Sequence, residues 1–387
     1  MSSPQAKLDR WGQPPWEIDF TPARRSLPQE ADFAVVGAGF TGLAAAASLR
    51  LHAPEKSVVV LEAGRIGHGA SGRTGGMVLA ESAAGDLPGL GDVLAGLQRI
   101  LDELSRASGV PIAESAELSL PGAWEIARKK AREDSPIEWD DSGTLRVSGH
   151  VPGGTLNPGK MVASLARAAE QLGAVVVENA RVHHVLWSER GGEMRFAGGK
   201  LRARKILVAT NAFSLEVSTL HGRAHPKLTL AAMTAPIAEE RIEKLGLAER
   251  KPFYTVDFPY LWGRVCPDNS IVWGAGLVTP GENGSVEDID IAAGESARMF
   301  ASLERRIRRL RPGFDDLTFT HLWGGPILFR DNWTPVFSRH PESRDGLVLG
   351  AFAGHGVALS SYLGHWAAEA MLGRRDLPKW GRISESR

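Results

Sequence analysis

Ala31-Asp-Phe-Ala-Val-Val-Gly37-Ala-Gly39-Phe-Thr-Gly42-Leu-Ala-Ala-Ala-Ala-Ser-Leu-Arg-Leu51 is the stretch whose reading decides the fold. A short apolar run ends in glycine, and an Ala/Leu-rich segment from Thr41 to Leu51 follows until Pro54 stops it, which reads strand, turn, helix. Lys56 to Leu61 adds a second β-branched run, so 31–62 forms one βαβ unit with a parallel strand pair. Gly37-Ala-Gly39-Phe-Thr-Gly42 lies between strand and helix, where backbone amides and the helix dipole hold a pyrophosphate. Glu62 stands 20 residues past Gly42, where a carboxylate accepts from both ribose hydroxyls. An acidic partner repels a 2′-phosphate, so the dinucleotide is FAD or NAD, and the fingerprint alone does not choose between them.

A Gly-rich loop, Gly64 to Gly76, follows the carboxylate. Apolar residues then recur at helical spacing over Asp92–Gly109 and Pro121–Glu133, predicting two surface helices. Asn157-Pro-Gly-Lys caps a helix that runs to Leu172 and closes at Gly173. Ala174–Glu178 and Lys205–Ala209 read as core strands. Aromatic-rich strands between Pro252 and Thr279 predict an antiparallel sheet in a second domain. Asp288–Leu310 reads as a long amphipathic helix stopped by Pro312-Gly313, and Leu347–Gly350 with Ser360–Leu372 repeats the strand, glycine turn, helix order.

A length of 387 residues suits two domains. Forty-five basic residues balance 45 acidic ones, which argues against nucleic acid or a membrane surface as partner. Phe33–Leu49 and Gly346–Trp366 are uncharged, but glycine and polar residues interrupt both, so they read as core rather than membrane spans. The single cysteine, Cys266, excludes an internal disulfide and a Cys-based metal site. With a polar, Pro-broken start that includes Trp11-Gly-Gln-Pro-Pro-Trp16, the expected location is cytoplasmic. No H-E-x-x-H or G-x-S-x-G occurs, so neither a zinc site nor a nucleophile elbow is expected. The 11 Trp against 3 Tyr imply either an aromatic-lined cavity or a Trp-rich core.

Further blocks continue the pattern: Gly69-Ala-Ser-Gly-Arg-Thr-Gly-Gly76, Asn157 to Ala166, Lys205 to Phe213, Leu322-Trp-Gly-Gly325 and Gly350-Ala-Phe-Ala-Gly-His-Gly-Val357. With Gly37–Gly42 and Glu62-Ala-Gly they resemble, in order, the FAD-dependent D-amino-acid oxidase, glycine oxidase and sarcosine oxidase family. Only residues 1–29 fall outside. The resemblance implies α/β plus antiparallel β architecture, with a discontinuous Rossmann-like FAD domain (30–90, 155–222 and 336–387) and an inserted α+β substrate domain (91–154 and 223–335) built on an antiparallel sheet. It assigns Gly37, Gly39, Phe40, Thr41, Gly42, Glu62 and Ala63 to the cofactor. Gly69, Ser71, Gly72, Arg73, Gly75 and Gly76 line its pyrophosphate and ring, and Val182 meets the adenine. Thr210, Asn211, Gly325, Gly354, His355, Gly356 and Val357 complete the set. Neither His68 nor Cys266 matches a covalent attachment position of the family, so FAD is expected to be noncovalent.

Within the family the likeness is to gamma-glutamylputrescine oxidoreductase and other amine oxidisers. Glycine oxidase carries one carboxylate-clamping arginine near the position of Trp323 and another in its C-terminal loop, where this chain has Gly324–Phe329 and Gly354–Val357. The planar fork that grips an α-carboxylate is thus missing, leaving Arg264 and Arg330 as substitutes. Alternation along a strand places Tyr260, Trp262 and Arg264 on one face, as a substrate wall or as core. His355 is a candidate base or a flavin hydrogen-bond donor, and Trp323 lies beside the expected substrate. The implied reaction is hydride transfer from an amine carbon to flavin N5, giving an imine that hydrolyses, with oxygen or another acceptor restoring the flavin. A D-amino-acid or glycine oxidase, an NAD-dependent dehydrogenase and a noncatalytic flavoprotein with a protein partner are the alternatives. Oligomeric state is left open.

Overall fold

The computed structural model describes residues 9–383 apart from 129–132, 219 and 283. Among the described residues the chain builds two eight-stranded sheets with helices on their outer faces. The strand Glu30–Val36 pairs in parallel with Val58–Leu61 on one side and Gly199–Val208 on the other. Val175–Val177 and Ser343–Gly350 extend this parallel core, and Val336–His340 closes one edge antiparallel.

Alternation sends Phe33 and Val35 to one face and Ala34 and Val36 to the other, and apolar clusters cover both. A parallel sheet buried on two faces reads as a continuous hydrophobic run, as this one does. The helices Phe40–His52 and Gly356–Met371 pack on the first face so closely that a Cβ on Gly364 would stand 2.4 Å from the Thr41 carbonyl oxygen. Both uncharged stretches thereby lie in the core, and no helix among the described residues is long and apolar enough to cross a membrane.

The second sheet runs in the order Phe319–Phe329, His225–Thr234, Ile271–Val278, Trp262–Val265, Phe253–Thr255, Ala123–Ala127, Thr144–Val151 and Trp139–Asp140. Every pairing is antiparallel except that of Phe253–Thr255 with Ala123–Ala127. Pro121–Glu133, expected as a helix, contributes the strand Ala123–Ala127, while 129–132 lie outside the described residues. Both faces of that strand are largely covered, so the period-two alternation that would have betrayed it is absent. The helix expected over Asp288–Leu310 begins only at Gly294, after a 3-10 turn at Val286–Asp288. Trp124, Trp139 and Trp273 pack with Phe253 and Phe314 behind this sheet, so much of the tryptophan excess is core.

Candidate active site

A cavity of about 1170 Å³ runs between the two sheets, bordered at one end by Glu62 and Val182 and at the other by Tyr254 and Trp262. Ligand pockets for small molecules usually hold about 300–1,000 Å³, so this one has room for a dinucleotide with a small substrate beside it.

At the first end, Gly37 turns with φ +106° and a Cβ there would stand 2.8 Å from the Ala209 carbonyl oxygen. A Cβ on Gly42 would lie 1.9 Å from the Gly37 carbonyl oxygen, so Gly42 sits behind the cavity and its absent side chain lets helix and strand touch. Gly39 caps the helix without a side chain, and the Phe40 amide donates to Ser71 Oγ at 2.9 Å. Gly39, Phe40 and Thr41 border the cavity, so the open helix N-terminus faces it. Glu62 is held from both sides: Oε2 accepts from the Ala38 amide at 2.8 Å and Oε1 from the Gly64 amide at 3.0 Å. Burial pushes its carboxyl above the usual range, the neighbouring Glu178 adds to this, and the amides oppose it. Each oxygen retains capacity to accept again. The glycine cradle and this oriented carboxylate fit the pyrophosphate and ribose of FAD.

Further along, Ala63, Gly69, Ser71 and Gly75 border the cavity, whereas Gly72 and Gly76 lie behind it. A Cβ on Gly72 would stand 2.6 Å from the Gly67 carbonyl oxygen, and one on Gly76 2.3 Å from that of Leu156. Arg73 also borders the cavity. Its buried guanidinium turns away and donates to the carbonyls of Gly12 at 2.9 Å and Gly324 at 3.0 Å. From the C-terminal side Thr210, Asn211, Gly325, Gly354, His355, Gly356 and Val357 all border the cavity. Ala351, Ala353 and Gly354 have positive φ, and Asn211 Oδ1 accepts from the Ala351 amide at 3.0 Å. The His355 ring lies with Nδ1 3.5 Å from the Ala353 carbonyl oxygen, and burial pushes its imidazole below the usual value, so the ring is neutral at pH 7.

At the other end of the cavity, Trp262 and Tyr254 belong to a row that crosses the second sheet. Trp262 pairs with Gly274 and Tyr254, and Tyr254 pairs with Glu125, which pairs with Gly149. Directly paired residues share a face. The Trp262 indole leans over Gly274 and against Gly75, while the Tyr254 hydroxyl donates to Glu125 Oε1 at 3.1 Å with Glu81 Oε1 at 3.4 Å. Burial and these two carboxylates push the Tyr254 phenol far above its usual value. Among the described residues neither Glu81 nor Glu125 has a salt bridge to Lys or Arg. Tyr254, Glu81 and Glu125 were not singled out in the sequence, because only the pairing register opposite Trp262 brings them together.

Three other expectations shift. Tyr260 precedes the strand rather than sharing its face, and it stands half-exposed against Phe258 at the cavity mouth. Arg264 and Trp323 line no part of the cavity. Arg264 is buried, with Nε donating to the Gly75 carbonyl at 2.6 Å and Nη2 to that of Leu156 at 3.1 Å. Trp323 is fully buried and donates Nε1 to the Arg73 carbonyl at 2.8 Å. Nor does Arg330 reach the cavity; it donates to Thr334 Oγ1 and the Arg382 carbonyl.

The chain matches the family model for FAD dependent oxidoreductases over residues 32–370. It is 27% identical to the probable oxidoreductase OrdL of Haemophilus influenzae over 89% of this chain and 84% of that protein. It is 26% identical to gamma-glutamylputrescine oxidoreductase of Escherichia coli, over 88% of this chain and 84% of that protein. In fold it is similar to glycine oxidase from Geobacillus kaustophilus, with TM-score 0.66 at 19% identity over 90% of this chain and 96% of that one. L-Amino acid deaminase from Proteus myxofaciens is also similar, with TM-score 0.69 at 13% identity over 94% of each chain. On the family match, which spans both sheets and the cavity between them, the chain belongs to the FAD-dependent oxidoreductase family that includes the D-amino-acid oxidases.

Proposed function

We propose that this FAD-dependent oxidoreductase oxidises the C–N bond of a primary or secondary amine. The charge distribution of the cavity carries the reading. The arginines that border it are engaged by protein acceptors: Arg73 as above, Arg181 on Glu287 at 2.8 Å, and Arg306 on Asp141 and the carbonyls of Pro259 and Tyr260. Behind the wall instead, the hydroxyl of cavity-lining Tyr254 meets two carboxylates that, among the described residues, have no Lys or Arg partner. Negative charge placed behind that wall attracts an ammonium and repels an α-carboxylate. The likeness to a gamma-glutamylputrescine oxidoreductase, whose name describes an amine substrate, supports it.

Bound at the glycine cradle and Glu62, FAD would supply the hydride acceptor for the amine carbon, and water would hydrolyse the resulting imine. The protein's own groups orient and exclude water. Trp262 and Tyr254 form the wall, and neutral His355, bordering the same cavity, serves as a hydrogen-bond partner for the amine or the flavin, the amine entering unprotonated. The chain's segments 30–90, 155–222 and 336–387 supply the cofactor side, and 91–154 with 223–335 the substrate side. FAD is held noncovalently, a reading supported by Cys266, which packs with Met233, Val272 and Trp323 away from the cavity.

The experiment is anaerobic mixing of the purified yellow protein with a panel of amines. Bleaching of the flavin absorbance by an amine, and release of FAD by acid, are expected. A flavin that no amine bleaches, although light reduces it, overturns the reading in favour of a noncatalytic flavoprotein.

A further inference from the structure

Three consecutive carbonyls of the loop beside the cavity are each tied by a side chain from behind. Trp323 Nε1 donates to the Arg73 carbonyl at 2.8 Å, Trp16 Nε1 to that of Thr74 at 2.8 Å, and Arg264 Nε to that of Gly75 at 2.6 Å. In a planar trans peptide the N–H points opposite to the C=O. Carbonyls drawn backward therefore turn the following amides forward, and Thr74 and Gly75 both border the cavity. Thr74 caps the 3-10 turn Ser71–Arg73, while the buried Gly75 amide, among the described residues, donates to nothing in the protein. Buried backbone donors are almost always paired, so the Gly75 amide awaits an acceptor.

The three tethers depend on one another. The Trp16 ring stands edge-on to Trp323 at 6.4 Å, and the Arg264 guanidinium lies 5.0 Å from the centre of the Trp16 ring. Trp16 itself is fixed by the chain around it. A Cβ on Gly159 would stand 2.2 Å from the Glu17 carbonyl oxygen, so this stretch lies flush on the helix Pro158–Gln171. Upstream, Trp11 is fully buried with Nε1 donating to the Val286 carbonyl at 3.0 Å, and the Ile291 amide donates to the Arg10 carbonyl at 2.9 Å. The segment outside the family blocks thus crosses from the second sheet to the loop and is secured at both ends.

We propose that this N-terminal strap is a working part of the cofactor site: Trp16, with Trp323 and Arg264, clamps the carbonyls of Arg73 to Gly75 and aims the Gly75 amide at the bound flavin. Oriented amides favour negative charge on the group they face. Trp16 is a positioning residue, and its effect is on the flavin's electronic properties rather than on substrate contact.

Trp16→Phe keeps the ring and removes only the N–H. The holoprotein should still fold, bind FAD roughly two- to twelve-fold more weakly, as expected for one neutral hydrogen bond, and show a lower flavin midpoint potential with displaced visible bands. Trp323→Phe should move the potential in the same direction, and it decides the matter if Trp16→Phe fails to retain FAD. Trp139→Phe removes a comparable buried N–H whose acceptor, the Leu245 carbonyl, is remote from the loop, so it should lower the melting temperature and leave potential and spectrum unchanged. Wild-type potential and spectrum in both Trp16→Phe and Trp323→Phe, or an equal shift in Trp139→Phe, would overturn the clamp.

Discussion

The indole of Trp262 lies over Gly274 of the neighbouring strand, where a Cβ would stand only 1.9 Å from Cζ2. Glu125 leans over Gly149 in the same row, with a Cβ there 2.6 Å from Oε2. Two glycines therefore make the space in which the Trp262 ring of the cavity wall and the Glu125 carboxylate behind Tyr254 lie flat.

Gly274→Ala should push the Trp262 ring from its place. Overpacking of this kind costs about 1–3 kcal/mol, and the displaced ring narrows the substrate end. A lower melting temperature together with a raised apparent KM for substrate is expected, and adding Trp262→Phe, which needs less room, should restore part of both. Steady-state kinetics and thermal melts on the two variants check this.

Removing the Glu62 carboxylate by Glu62→Ala should weaken FAD binding by roughly 1.5–3 kcal/mol, or about ten- to 150-fold, because hydrogen bonds to a charged group are lost. Titration of flavin-free protein with FAD measures it. An unchanged dissociation constant would mean that the carboxylate fixed by Ala38 and Gly64 has no ribose to hold.

Arg264→Ala leaves the carbonyls of Gly75 and Leu156 without their donor in a buried place. Each unpaired buried acceptor costs about 1–3 kcal/mol, so the variant should melt earlier and release FAD more readily. Arg264→Lys supplies one compact ammonium for two separated carbonyls and should recover only part of the loss. A stable Arg264→Ala protein with native FAD affinity contradicts this placement.

Stability should fall in mild acid. Burial holds His52, His340, His355 and His365 below the ordinary imidazole value of 6.5. Unfolding lets each take up a proton once the pH drops under about 6.5, so the unfolded state binds more protons there and folding stability declines as pH falls toward the depressed folded values. Above that window these groups contribute no slope. Melting temperatures of the holoprotein measured from pH 8 down to 5 should be flat and then drop. His340→Phe, which keeps a ring stacked on Trp187, should reduce the drop.

The parallel core and the phosphate end were legible because their chemistry is local: Gly37, Gly39, Gly42 and Glu62 sit in one βαβ unit at fixed spacing. The wall was only half legible. Trp262 was found from alternation, but Tyr254 and Glu125 belong to strands paired with it in a register that no short sequence window contains. The same limit misplaced Arg264, which alternation put beside the substrate, and Trp323, which the family resemblance put there. Their polar atoms instead reach loop carbonyls more than a hundred residues away along the chain. Trp16 looked like part of an unrelated extension because its partner, Thr74, is likewise distant in sequence.

The central claim is that the cavity selects an amine over an amino acid, and matched pairs test it most directly. Single-turnover flavin reduction is measured under anaerobic conditions with each amine and with the amino acid that differs only by an added α-carboxylate, such as ethylamine against D- and L-alanine. With Arg73, Arg181 and Arg306 all engaged and Glu81 and Glu125 behind the wall at the Tyr254 hydroxyl, the amine should reduce the flavin faster in every pair. Faster reduction by the carboxylate-bearing members would contradict the account and place a carboxylate-binding oxidase in this cavity.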